Sequence, residues 1–174
     1  MRRLLSVAAI ASCLVTGISL PTLAQSLPGL TIFGGPRNEN QLNFRLDYGT
    51  RNHRDRYRLR IPADKRDLAI AQLSISYPDY YDGEFDPEDV EVRVKKGDDY
   101  ESVPIELPVV WDRENHLLEI YPIEPIPAGY KVEVVLHDVQ NPRFGGMYYF
   151  NCRIQSPGDV PLLRYLGTWV INIS

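Results

Sequence analysis

Thiols, histidines and methionines are scarce in this chain, and after Leu20 almost nothing has the spacing of a helix. Each shortage excludes a class of chemistry. Of two cysteines, Cys13 lies in an N-terminal apolar segment; once that segment is removed, Cys152 stands alone and no intramolecular disulfide can form. Cys152 falls on the apolar side of a strand pattern. That suits a small buried hydrophobe, since a reactive thiolate needs a basic neighbour and solvent, and nothing nearby in sequence supplies them. His53, His116 and His137 are too far apart for a zinc spacing, and a copper carrier would want more than the single Met147 that follows the apolar segment. There is no GxSxG elbow, no HExxH and no phosphate loop. A hydrolase whose Ser, His and Asp meet only in three dimensions stays open as an alternative. A basic excess is missing too: 19 Lys and Arg face 23 Asp and Glu, which argues against a nucleic-acid partner.

The N-terminus carries the clearest address. Met1-Arg2-Arg3 is basic, Leu4 to Leu20 is apolar or small apart from Ser and Thr, and Thr22 and Ala24 precede Gln25 as small residues. This reads as a secretory signal peptide over residues 1–24, cleaved before Gln25, and places the mature chain in the periplasm or outer envelope. Two rivals stand beside it. The apolar run is near the lower limit for a membrane span, and Ile10-Ala11-Ser12-Cys13 has the residue types of a lipoprotein site. Cleavage removes Arg2 and Arg3, leaving 17 basic against 23 acidic residues, a net charge of −6. Residues 25–174 are the size of one domain, with no internal repeat and no low-complexity linker.

The stretch from Asn141 to Trp169 organises the rest. Asn141-Pro142 and Gly145-Gly146 make a turn, after which Tyr148, Phe150, Cys152 and Ile154 share one face and Tyr149, Asn151, Arg153 and Gln155 the other. Ser156-Pro157-Gly158-Asp159 ends that strand; Leu162 to Trp169 returns an apolar load over the body, and Trp169, Ile171 and Ile173 close the chain. Earlier, Leu30–Phe33 reads as an edge strand, followed by alternation at Leu42, Phe44 and Leu46 and at Tyr57, Leu59 and Ile61. Pro62 to Asp67 suits one helical turn. Leu68 to Tyr77 is a strand, and Val90, Val92 and Val94 make a half-buried one. Pro104 and Pro108 confine Val103–Trp111 to sheet edges, and Leu118, Ile120, Val132, Val134 and Leu136 alternate again. About nine short strands separated by most of the 14 prolines and 12 glycines predict an all-β fold, a single antiparallel β-sandwich of immunoglobulin-like architecture.

Three strings, FGGPRNENQLNFRLDYGT, YPDYYDGEFD and NPRFGGMYYFNCRIQSPGDVPLLRYLGTW, resemble a domain-of-unknown-function family of exported cyanobacterial proteins. The resemblance covers nearly the whole chain after the leader. It implies a secreted β domain of the cell envelope and brings no activity, cofactor or catalytic residue.

Two surfaces are candidate binding sites. The first is the acidic loop Asp79–Asp89, where Tyr80, Tyr81 and Phe85 would offer rings to sugar faces, against a reading of ordinary packing. Its six carboxylates also leave weak calcium binding open, against a solvated loop in which Asp86-Pro87 caps a turn. The second is the row Arg54, Arg56, Arg58 and Arg60, a positive stripe for phosphates or uronic acids, or else a set of cross-strand ion pairs protecting a sheet. The resulting expectation is a non-catalytic binding or structural module for an envelope polymer, lipid or protein, needing no cofactor. The alternatives are the hydrolase above and a weak calcium or copper carrier.

Overall fold

The computed structural model describes residues 35–158 and 162–174. Alternation broken by proline and glycine folds into ten strands: β1 (Phe44–Leu46), β2 (Arg54–Ile61), β3 (Gln72–Ser76), β4 (Val90–Lys96), β5 (Asp99–Val103), β6 (Val110–Asp112), β7 (Leu117–Ile120), β8 (Lys131–Gln140), β9 (Gly146–Gln155) and β10 (Leu163–Ile173). The leader, Cys13 and the edge strand expected at Leu30–Phe33 lie outside the described residues. Two five-stranded antiparallel sheets result, in the orders β1-β2-β8-β4-β5 and β10-β9-β3-β7-β6. They pack as an immunoglobulin-like sandwich. Among the described residues no helix is long and apolar enough to cross a membrane.

The core lies between the sheets and follows the period-two pattern. Tyr57, Leu59 and Ile61 of β2, Val92 and Val94 of β4, and Val132, Val134 and Leu136 of β8 face Leu73 and Ile75 of β3 and Phe150, Cys152 and Ile154 of β9. Trp169 is fully buried and donates its indole N–H to the Arg60 carbonyl at 3.1 Å, tying the last strand of one sheet to the second strand of the other. Burying so large a ring is favourable only with its N–H paired.

Two sequence expectations need correction, and a third gains detail. The strand read from Leu68 begins at Gln72, because residues 62–71 must cross from one sheet to the other; on the way Ala63–Lys65 forms one 3₁₀ turn and Ile70 bridges Ile126. The proline-broken segment Val103–Trp111, read as one or two short strands at sheet edges, does lie at edges, and these belong to different sheets. β5 ends the first sheet and β6 ends the second, with Pro104 and Pro108 between them. The apolar load after Leu162 is only half inward: Leu162, Leu163 and Tyr165 are exposed, and burial starts at Leu166, the extra residue of a bulge. Gly167 follows, where a Cβ would lie 2.7 Å from the Asn40 carbonyl oxygen and 2.8 Å from Leu42 Cγ. Only glycine admits that approach without displacement.

Candidate functional site

Strand registers place four connections at one end of the sandwich: residues 47–53 between β1 and β2, 77–89 between β3 and β4, 113–116 between β6 and β7, and 141–145 between β8 and β9. The C-terminal residue joins them, since Ile173 pairs with Gly146.

Asp55, at the start of β2, organises this end. Its carboxylate accepts the backbone N–H groups of Asp47 (2.9 Å), Tyr48 (3.1 Å), Gly49 (2.7 Å) and Arg56 (2.7 Å), and the Asn141 amide at 3.0 Å. Asn141 also donates to the Thr50 carbonyl at 2.8 Å and accepts the Tyr57 hydroxyl at 2.5 Å. The Tyr81 hydroxyl lies 3.2 Å from that of Tyr57. Burial pushes both phenols well above the ordinary tyrosine value, so they stay neutral and act as hydrogen-bonding struts. Outside this chain the loops are sewn together by backbone: Asn52 N–H to the Pro142 carbonyl (3.1 Å), Arg51 N–H to the Ser174 carbonyl (3.0 Å) and Ser174 N–H to the Gly49 carbonyl (2.9 Å). Arg143 grips Asp82 with its backbone N–H at 3.1 Å and its Nε at 2.6 Å, and thereby holds the Asp82 carboxyl below its usual range.

Over this rigid base sit apolar side chains that the core does not take. Phe144 is 70% exposed, Tyr80 58% and Met147 57%, and Tyr48 is open on the side of the C-terminus. Tyr80 leans on the buried Tyr148, ring centroids 5.7 Å apart, and Tyr148 donates its hydroxyl to the Phe144 carbonyl at 2.7 Å. Tyr80 is therefore held from below by the Tyr148 ring, and the Phe144 backbone is anchored beside it.

The predicted site residues are divided by this arrangement. Tyr81 and Phe85, at 3% and 5% exposure, are core residues. They stack on each other 5.6 Å apart and meet Phe150 edge-on, so the three-ring loop platform is corrected to Tyr80 alone. Gly83 makes this inward turn possible, since a Cβ there would lie 2.5 Å from the Tyr81 ring. The arginine row does face outward, but its members are paired: Arg54 with Asp138 at 2.6 Å, Arg58 with Asp47, and Arg60 with Glu133 at 2.6 Å. Arg56 is the loosest, 4.0 Å from Asp47. The stripe read as a phosphate or uronate site is thus engaged in cross-strand ion pairs. Phe144, Met147 and Tyr48 escaped sequence reading. The usable signal was an aromatic inside a glycine turn, Arg143-Phe144-Gly145 and Asp47-Tyr48-Gly49, where no strand face exists to bury it.

Carboxylates of the acidic loop are used separately. Asp82 serves Arg143, Asp86 accepts the Glu88 N–H at 3.0 Å, and Glu84 lies 3.8 Å from Arg113. No three His, Cys, Asp or Glu side chains among the described residues are grouped to hold a metal ion. Cys152 is buried, and desolvation pushes its thiol far above the range of a nucleophile. His116 packs edge-on to Tyr77 at 5.5 Å, and His137 lies 3.8 Å from Glu91 on the outer sheet face.

Over residues 30–173 the sequence matches the family described as Protein of unknown function (DUF2808). The chain belongs to this family. No curated protein sequence matches it. Among solved structures, the DUF2808 chain is similar to the collagen-binding domain from a Staphylococcus aureus adhesin, with a TM-score of 0.44, 10% identity, and coverage of 76% of this chain and 95% of that one. It is similar also to ACE19, the collagen-binding subdomain of the Enterococcus faecalis surface protein ACE (TM-score 0.43, 10% identity, 78% and 99% covered). An uncharacterised Nocardia farcinica protein with an immunoglobulin-like fold follows (TM-score 0.38, 9% identity, 77% and 98% covered). These likenesses concern the fold, and the DUF2808 site is described from its own residues.

Proposed function

We propose that this chain is a non-catalytic binding module of the cell envelope, which takes a sugar-bearing envelope polymer on the aromatic end of the sandwich. The observation that carries this reading is the exposure of Tyr80, Phe144 and Met147 at one end of the sandwich, with Tyr80 packed on Tyr148 and the Phe144 carbonyl accepting the Tyr148 hydroxyl. Left in water, such side chains forgo about 25 cal/mol for every Å² of apolar surface, which a ligand recovers by covering them. Phenol and benzyl rings offer a flat apolar face to the C–H side of a sugar, and the tyrosine hydroxyl adds a polar tip. Export is supported by the basic and apolar run from Met1 to Leu20. N-terminal sequencing of the mature protein checks it, and a lipidated Cys13 would replace the cleaved leader.

The binding test is cosedimentation of the purified protein with insoluble cell-wall polysaccharide. A Tyr80→Ala, Phe144→Ala double variant should keep its fold, since both side chains are exposed, and lose at least tenfold in affinity, at about 1 kcal/mol per ring. Wild-type sedimentation by that variant would refute the polymer site. Binding to lipid vesicles or to an envelope protein, with no retention by polysaccharide, would move the module to one of those ligands.

A further inference from the structure

The opposite end of the sandwich holds a second concave surface. β5 is the edge of its sheet, so one side of its backbone carries no ladder partner. Just past it the chain crosses to the other sheet, where Ile105 bridges Pro122 and the Ile123 N–H donates to the Pro104 carbonyl at 2.9 Å. Between β5 and the segment 121–130 runs a groove of about 450 Å³, within the size range of ordinary ligand pockets. Val103, Pro104, Ile123, Pro125 and Tyr130 supply its apolar walls, and Ile123 is largely exposed.

Charge distinguishes between possible occupants. Glu101 and Glu124 line the groove with a single cation, Lys96, and Lys96 is already paired with Glu101 at 2.6 Å. Glu124 has no ion-pair partner among the described residues. The free edge itself carries Asp99, which like Glu124 has no ion pair among the described residues; these two carboxylates repel a second copy of the same edge and attract a basic strand. An anionic lipid is disfavoured by the same carboxylates. A neutral apolar molecule would leave the backbone groups of the edge without partners. We infer that this groove binds an extended peptide of alternating apolar and basic residues, which adds to the β5 edge and points its apolar side chains at Val103 and Ile123. This is peptide recognition by strand addition, with main-chain hydrogen bonds for affinity and the groove for selection. It stands apart from the polymer site at the other end.

The test is a titration of the isotopically labelled protein with a short peptide alternating valine and lysine, followed by amide chemical shifts. Expected are saturable shifts at Tyr100–Val103, Ile123 and Tyr130, with none at Tyr80 or Phe144. The counterpart with glutamate in place of lysine should bind at least tenfold more weakly. Glu124→Lys should loosen the lysine peptide about threefold, the effect of one exposed charge pair. Absence of shifts with the lysine peptide would overturn the inference. So would equal binding of the glutamate peptide, or the same shifts produced by zwitterionic lipid vesicles.

Discussion

Asp55 shows how much one carboxylate settles. Four backbone N–H groups and the Asn141 amide converge on it, so Asp55→Ala would leave donors with no acceptor across two loops. We expect a loss of about 3 kcal/mol in urea unfolding, with Asp55→Asn losing less because one oxygen remains. Cys152 gives a second test at this scale. Fully buried, with its thiol pushed far above the usual value, it should resist a thiol reagent in the native protein and react only on unfolding. Burial of Cys152 was legible, because β9 alternates strictly. The fates of Tyr80 and Tyr81 were not: the alternation stops at Pro78, and off a strand, neighbours in sequence have no prescribed faces.

The outward arginines of β2 were legible as a row, but their partners depend on register. Pairing sets Arg60 and Arg93 on either side of Glu133, which is almost wholly buried on the outer face of its sheet. Burial raises the Glu133 carboxyl, and hydrogen bonds from Arg60 (2.6 Å) and Arg93 (2.8 Å) outweigh it, so its value lies below the ordinary 4.5. A depressed carboxylate stabilises the fold fully above its unfolded value, and that stability is lost as pH falls through the folded one. Glu133→Gln should therefore cost about 2 kcal/mol near neutrality, less than a fully buried pair because both arginines are partly wet. The gap between variant and wild type should close as acid is added below about pH 4.5; a gap independent of pH would assign the loss to packing. At the other sheet's end, Gly167→Ala forces Asn40 and Leu42 away from the β10 bulge and should lower stability by about 2 kcal/mol in the same unfolding assay. Prolines at 104 and 108 foretold edge strands, since a residue without N–H cannot join a central ladder. That they serve edges of two different sheets is a matter of the crossover.

For the molecule as a whole, both sheets share one core, and Trp169 pins them together. Heat or urea should then unfold the two sheets in a single transition, with tryptophan fluorescence and far-ultraviolet circular dichroism coinciding. The amino-acid order by itself determined the all-β class, the inward faces of most strands and the solitary thiol's burial. It could do so because strand periodicity is local: a side chain's face follows from its neighbours two positions away. Only the tertiary structure decided which rings stay exposed, which carboxylate each arginine meets and where the Val103–Ile123 groove opens. Those are relations between residues tens of positions apart, set by strand order and register, and no local period encodes them.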